Sequence, residues 1–195
     1  MAAQTEQPNF YEDPKFVRIL FSTTRFAWLW AIIRVWLGYQ WIQASLHKIG
    51  VESWTGNGVA LKGFWDRAIS MPQAPGRQPI TYGWYRDFIQ YLLDVQAYTW
   101  FAKVIAYGEL IIGIALVIGA FVGIAAFFGA FMNINFMLAG TASTNPVLFT
   151  VAILLVLAWK VAGYYGVDRY LLPALGTPWK PGKVFTSNRG SVTAI

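Results

Sequence analysis

Residues 98–140 read YTWFAKVIAYGELIIGIALVIGAFVGIAAFFGAFMNINFMLAG, and this stretch decides the fold. It is nearly all apolar and about twice as long as the ~20 residues one helix needs to cross a hydrocarbon core, so it must fold back once. Gly119 and Gly123, around Ala120-Phe121-Val122, are where the turn belongs. Two spans result, over about 98–119 and 121–140. Upstream, an apolar run from Phe26 to Lys48 gives another. It is too long and too rich in Trp for a signal peptide, and no small-residue cleavage site ends it. Downstream, Asn145-Pro146 starts a last span over about 146–167. The expected fold is all-α: an integral membrane four-helix bundle with an amphipathic outer loop between helices 1 and 2.

Composition points the same way. The 195 residues are 56% hydrophobic and 17% aromatic but only 12% charged, where a soluble domain carries about 25%. So few charges cannot build a water-facing surface, which excludes an ordinary soluble enzyme, a disordered chain and a nucleic-acid module. The lipid bilayer is the first expected partner. Net charge is +6, with the basic residues gathered near the chain ends and in one loop, as topology signals and contacts for anionic lipid are.

An even number of spans puts both termini on one side. Lys15, Arg18 and Arg25 precede the first span, and Arg169, Lys180, Lys183 and Arg189 follow the last, while the short connections hold no Lys or Arg. Both termini are therefore expected in the cytoplasm. Residues 1–25 form an N-terminal segment, 26–168 the helical domain and 169–195 a basic tail. The long loop 49–97, with Lys62, Arg67, Arg77 and Arg86, then lies outside the plasma membrane of a bacterial or archaeal cell. Within it Trp84, Phe88, Tyr91 and Val95 recur at helical spacing, as in a helix lying on the outer membrane face or capping the bundle. A second short helix is expected from Val59 to Ile69, and the Pro- and Gly-rich residues 71–76 form a loop between them.

Cysteine is absent and His47 is the only histidine, so one copy cannot hold an iron–sulfur cluster, Cys-ligated zinc or bis-histidine haem. No metal-ligand cluster, nucleotide loop or hydrolase triad is present. Redox chemistry would need an organic cofactor, a quinone or a partner subunit. The informative residues are ionisable groups inside spans, since each costs a few kcal/mol to insert. Glu109 lies ~16 Å into its helix at 1.5 Å per residue, too deep to snorkel. It must be protonated, paired or open to an internal cavity. Ala102, Ala106, Gly113 and Ala120 share its face and allow close helix approach, so Glu109 faces the bundle. It could be a structural ion pair or neutral acid, or a proton carrier or ligand anchor.

Arg34 and Lys160 lie ~10–12 Å from the cytoplasmic edge, where long basic side chains can snorkel. Arg34, Gly38, Trp41, Ser45 and Lys48 share one face of the first helix; Gln40, Gln43 and His47 share another. Two polar stripes leave little circumference for lipid, which makes this helix central. Asn133 lies on a small-residue face with Ala126 and Gly129, where interhelical hydrogen bonding is its ordinary role. His47, at the outer end of the first helix, is an interface residue that could pass protons to a quinone headgroup.

In their order and spacing, several motifs resemble the DoxX superfamily, and within it the DoxD-like large subunits of thiosulfate:quinone oxidoreductase. They are Arg34 to Gly38, His47-Lys48, Gly108-Glu109 with Gly113 and Gly119, Asn133 through Ala139-Gly140, Ser143, Asn145-Pro146, and Gly166-Val167-Asp168. The resemblance covers about residues 26–172. It implies a membrane subunit that helps pass electrons from a small sulfur compound such as thiosulfate to membrane quinone, alongside other subunits. On that reading Glu109, Arg34 and His47 are the catalytic candidates, and Lys48, Trp41, Asn133 and Lys160 line a quinone or interior polar site. The alternative is a non-catalytic accessory subunit of a larger respiratory or photosynthetic membrane complex.

Overall fold

A computed structural model describes residues 13–70 and 79–176, and among them every regular element is helical. Residues 1–12 of the N-terminal segment, the 71–76 loop and most of the basic tail lie outside the described residues. In chain order the helices are α1 (Lys15–Ser22), α2 (Ala27–Leu46), α3 (Val59–Ile69), α4 (Gly83–Asp94), α5 (Tyr98–Ile118), α6 (Val122–Leu138), α7 (Asn145–Leu157), α8 (Trp159–Ala162) and α9 (Asp168–Leu175). α5, with mean hydropathy 2.1, is long and apolar enough to cross a membrane alone. Lys15–Ser22 and Thr24–Leu46 reach that standard together, but across a 59° bend, while α6 and α7 are apolar but shorter.

The long apolar stretch turns at Gly119–Phe121. Gly119 ends α5 at φ +72°, a conformation glycine adopts without strain, and the Ala120 N–H closes the helix end by donating to Ala115 O at 2.9 Å. Pro146 begins α7 in the first turn, where its missing N–H costs nothing. The last apolar segment departs from the single helix expected over 146–167: α7 stops at Leu157 and α8 is one further turn. Gly163 and Gly166 then bring the chain against the α5–α6 turn, where a Cβ on Gly166 would lie 2.7 Å from Ile118 O. A continued straight helix could not make that return.

α2 packs along α5 and α6 along α7, while α5 also meets α6 and α2 meets α7. The α2–α5 contact depends on two glycines. A Cβ on Gly38 would sit 2.7 Å from Gly113 O, and one on Gly113 would sit 2.8 Å from Gly38 O, so the backbones touch directly. Leu37, Trp41, Leu116, Ala126, Ala152 and Leu155 fill the core among these four helices. A second cluster packs α3 and α4 over the Lys48 end of α5 through Leu61, Trp65, Tyr85, Ile89 and Leu92.

Two local readings change. α4 buries Tyr85, Ile89 and Leu92, whereas the Trp84, Phe88, Tyr91 and Val95 stripe faces outward, Trp84 being 63% exposed. The stripe therefore does not cap the helices beneath it. α1 is an amphipathic helix within the N-terminal segment, where no element was expected; it packs on α8.

Candidate functional site

Glu109 is fully buried and is held by Lys48. The Lys48 ammonium donates to Glu109 Oε1 at 2.8 Å and Oε2 at 2.6 Å, and to Ala44 O at 3.1 Å. It also lies 5.3 Å from the centroid of Trp54, an attractive cation–π position. Of the three states open to a deep acid, the structure contains pairing. The two partners differ in access: the Lys48 side chain is 16% exposed and that of Glu109 only 2%. The acid faces α2 because Ala102, Ala106 and Gly113, on the same side of α5, are all buried there.

Trp41 and Asn133 occupy the same interior from α2 and α6. A Cβ on Gly129 would be 3.2 Å from Trp41 Nε1, so the indole reaches across the core to α6. α2 and α6 run parallel and α5 runs against them. One turn from the Trp41–Gly129 and Gly38–Gly113 contacts toward the Lys48 end come Ser45, Asn133 and Glu109. Asn133 and Glu109 are thus each one turn nearer the Lys48 end than Gly129 and Gly113.

Arg34 is elsewhere. It is buried at the opposite end of α2, and its guanidinium donates to Leu116 O at 2.5 Å, Val117 O at 2.6 Å, Tyr165 O at 2.8 Å and Ala162 O at 3.0 Å. Its positive charge thus satisfies carbonyls at the C-terminus of α5, where the helix dipole favours a cation. Beside it Asp168 accepts from Phe121 N–H at 2.6 Å and Val122 N–H at 2.9 Å, capping the start of α6. A Cβ on Gly119 would strike the Arg34 guanidinium at 2.8 Å. Arg34, Gly119, Gly166 and Asp168, dispersed in the sequence, therefore form one clamp that ties α2, the α5–α6 turn and the start of α9.

His47 is exposed, with Nδ1 2.6 Å from Gln43 O in its own helix. Lys160 is also exposed, on α8 at the Arg34 end. The fold brings Lys48, Glu109, Trp41 and Asn133 into one region; it does not bring Arg34 or Lys160 there. Among the described residues no cluster of three or more His, Asp or Glu could hold a metal ion.

A second feature was not visible in the sequence. α5 and α6 splay apart around an apolar groove of about 920 Å³, lined by residues such as Ile111, Ala115, Ile118, Phe128 and Phe131 and roofed by Trp65 and Tyr85. From Phe101 to Ile118 it extends ~25 Å along α5 at 1.5 Å per residue. At the roofed end the Tyr85 hydroxyl donates to Asn135, with the backbone O at 3.0 Å and Oδ1 at 3.2 Å. Burial pushes the Tyr85 phenol up to about 12, so it stays a proton donor. The i, i+4, i+7 spacing of Tyr85, Ile89 and Leu92 was the available signal, hidden behind the more conspicuous aromatic stripe.

The chain matches no family model, no curated protein sequence and no solved structure. The class defined here is a helical protein with one helix able to span a membrane, a buried Lys–Glu pair and an apolar groove.

Proposed function

We propose that the chain is a multi-pass membrane subunit that binds a long-tailed quinone in the groove between α5 and α6. On this reading α2, α5, α6 and the α7–α8 pair cross a bacterial or archaeal plasma membrane, with both termini in the cytoplasm. The carrying observation is the groove: ~25 Å of apolar wall suits an isoprenoid tail, and a headgroup carbonyl at its roofed end would take over the Tyr85 hydroxyl proton that is otherwise donated to Asn135. Electrons would come from a sulfur compound such as thiosulfate through a partner subunit, as the DoxX-like resemblance implies. Glu109 faces away from the groove, but Gly108 lines it, so the Lys48–Glu109 pair is one helix width from the ligand.

Binding of a short-tailed quinone to the full chain in nanodiscs, followed by quenching of tryptophan fluorescence, tests the reading. Nothing lies within 4 Å of a Cβ at Gly108, so Gly108→Leu projects into the groove without disturbing the helices. Saturable quenching weakened at least tenfold by Gly108→Leu, about 1.4 kcal/mol, is the expected result. Quenching that does not saturate, or is the same in both proteins, overturns it. The outward stripe of Trp84, Phe88 and Tyr91 favours a second reading, an accessory subunit docked through α4 on a larger complex. Co-purification with large redox subunits in mild detergent, without quinone binding by this chain alone, selects that alternative.

A further inference from the structure

Asn133 is fully buried, yet neither its amide nitrogen nor its amide oxygen has a hydrogen-bond partner among the described residues, and the same holds for Trp41 Nε1. Such groups are costly when left buried and unpaired. Three unpaired polar atoms from diagonal helices at one place are therefore a pattern that calls for a ligand. Both residues sit on the inward faces of α2 and α6, and Trp41 Nε1 already lies against Gly129, one turn before Asn133. Helical side chains lean toward the N-terminus of their helix, so the Asn133 amide leans back toward the indole.

We propose that the helical core contains a binding site for one small, uncharged hydrogen-bonding molecule, of the size of water, bridging Trp41 and Asn133. The chemistry specifies it. Trp41 Nε1–H and the Asn133 amide N–H both donate, so the ligand presents lone pairs to two donors; Asn133 Oδ1 accepts, so the ligand also carries a hydrogen. Water satisfies all three atoms and meets the two to four polar partners that a buried water needs. A cation would face two N–H donors, and a carboxylate or phosphate would find no cationic donor free at this level, since Lys48 is already bonded to Glu109. Gly129 closes one side of the indole, where an added Cβ would already be tight at 3.2 Å from Nε1, so the bridging molecule lies on the side toward Asn133 and is small.

Through this ligand α2 and α6 gain a polar link one turn from the approach of the Trp41 indole to Gly129. The site is independent of the quinone reading, because the groove is lined by Phe128 and Phe131 on another face of α6.

The test is nuclear magnetic resonance of the full chain in detergent micelles, with the indole and the asparagine side-chain nitrogens labelled and Trp41 assigned through Trp41→Phe. A cross-peak between the Trp41 indole proton and a long-lived water is expected, together with its loss in Asn133→Leu. In Trp41→Phe, which removes only the indole N–H donor, the Asn133 amide protons should keep their own water cross-peak. Three results overturn the proposal: indole and amide protons with no water cross-peak, a direct contact between the Trp41 indole and the Asn133 oxygen, or an indole–water signal unchanged in Asn133→Leu. If Asn133→Leu does not fold, the amide signals of Trp41→Phe decide.

Discussion

Removing Lys48 should damage this protein more than removing Glu109, although the two are partners in one ion pair. Lys48→Met leaves the Glu109 carboxylate, 2% exposed, with no cation beside it. Breaking a buried pair in this way costs about 3–5 kcal/mol, because an uncompensated charge stays in a low-dielectric site. Glu109→Gln leaves the ammonium instead, and that group is 16% exposed, keeps Ala44 O and rests over Trp54. Its loss should be nearer the ~1–3 kcal/mol of one unsatisfied group. Replacing both, Lys48→Met with Glu109→Leu, removes both charges and should be close to neutral. The cycle therefore carries a coupling of roughly 3 kcal/mol or more. Reversible unfolding of the purified full chain by added sodium dodecyl sulfate, followed by circular dichroism, measures all four proteins. Equal losses in the two single variants, or a double variant equal to their sum, would refute the argument that burial of the carboxylate dominates.

The clamp at the other end predicts that Arg34→Leu costs at least ~3 kcal/mol in the same assay, since hydrogen bonds to charged groups are worth ~1.5–3 kcal/mol each and four carbonyls lose their donor. Arg34→Lys should recover only part of this, as an ammonium cannot reproduce the planar fork; full recovery would show the charge alone to matter. Gly38→Ala should cost ~1–3 kcal/mol because its Cβ meets Gly113 O at 2.7 Å, while Gly108→Ala, which meets nothing, should stay within ~0.5 kcal/mol of the parent. Tyr85 ionises near 10 in the unfolded chain and about 12 in the folded one. Its contribution is thus fully present below pH ~10 and is lost as pH rises from ~10 to ~12. Thermal midpoints recorded against pH should fall less steeply across that window in Tyr85→Phe than in the parent.

How much of the candidate site the sequence disclosed differs from residue to residue. Glu109 was conspicuous because a carboxylate in the middle of an apolar helix has no ordinary explanation, and the small residues on its face gave its direction. Its partner was only half visible: Lys48 stands just past the end of α2, and nothing local says that its ammonium reaches back to an acid 61 positions away. Arg34 was an equally good candidate by the same rule. The carbonyls that occupy it belong to α5, to the last residue of α8 and to the segment after it, so only their convergence gives it a structural role. Tyr85 was hidden because both faces of α4 are apolar and the outward one carries more aromatic rings, and periodicity alone does not say which one meets the core.

The sequence by itself determined the solvent-like apolar character, the helical class and the turn at Gly119, because these follow from residue type and from spacing within one element. Tertiary structure decided which charges neutralise one another, that the last apolar stretch breaks into α7 and α8, and that α5 and α6 part to form a groove. Each of these depends on contacts between helices far apart in the chain. At Gly38, Gly113 and Gly166 the absence of a Cβ sets how near two backbones come, and that distance determines what the remaining polar atoms can reach.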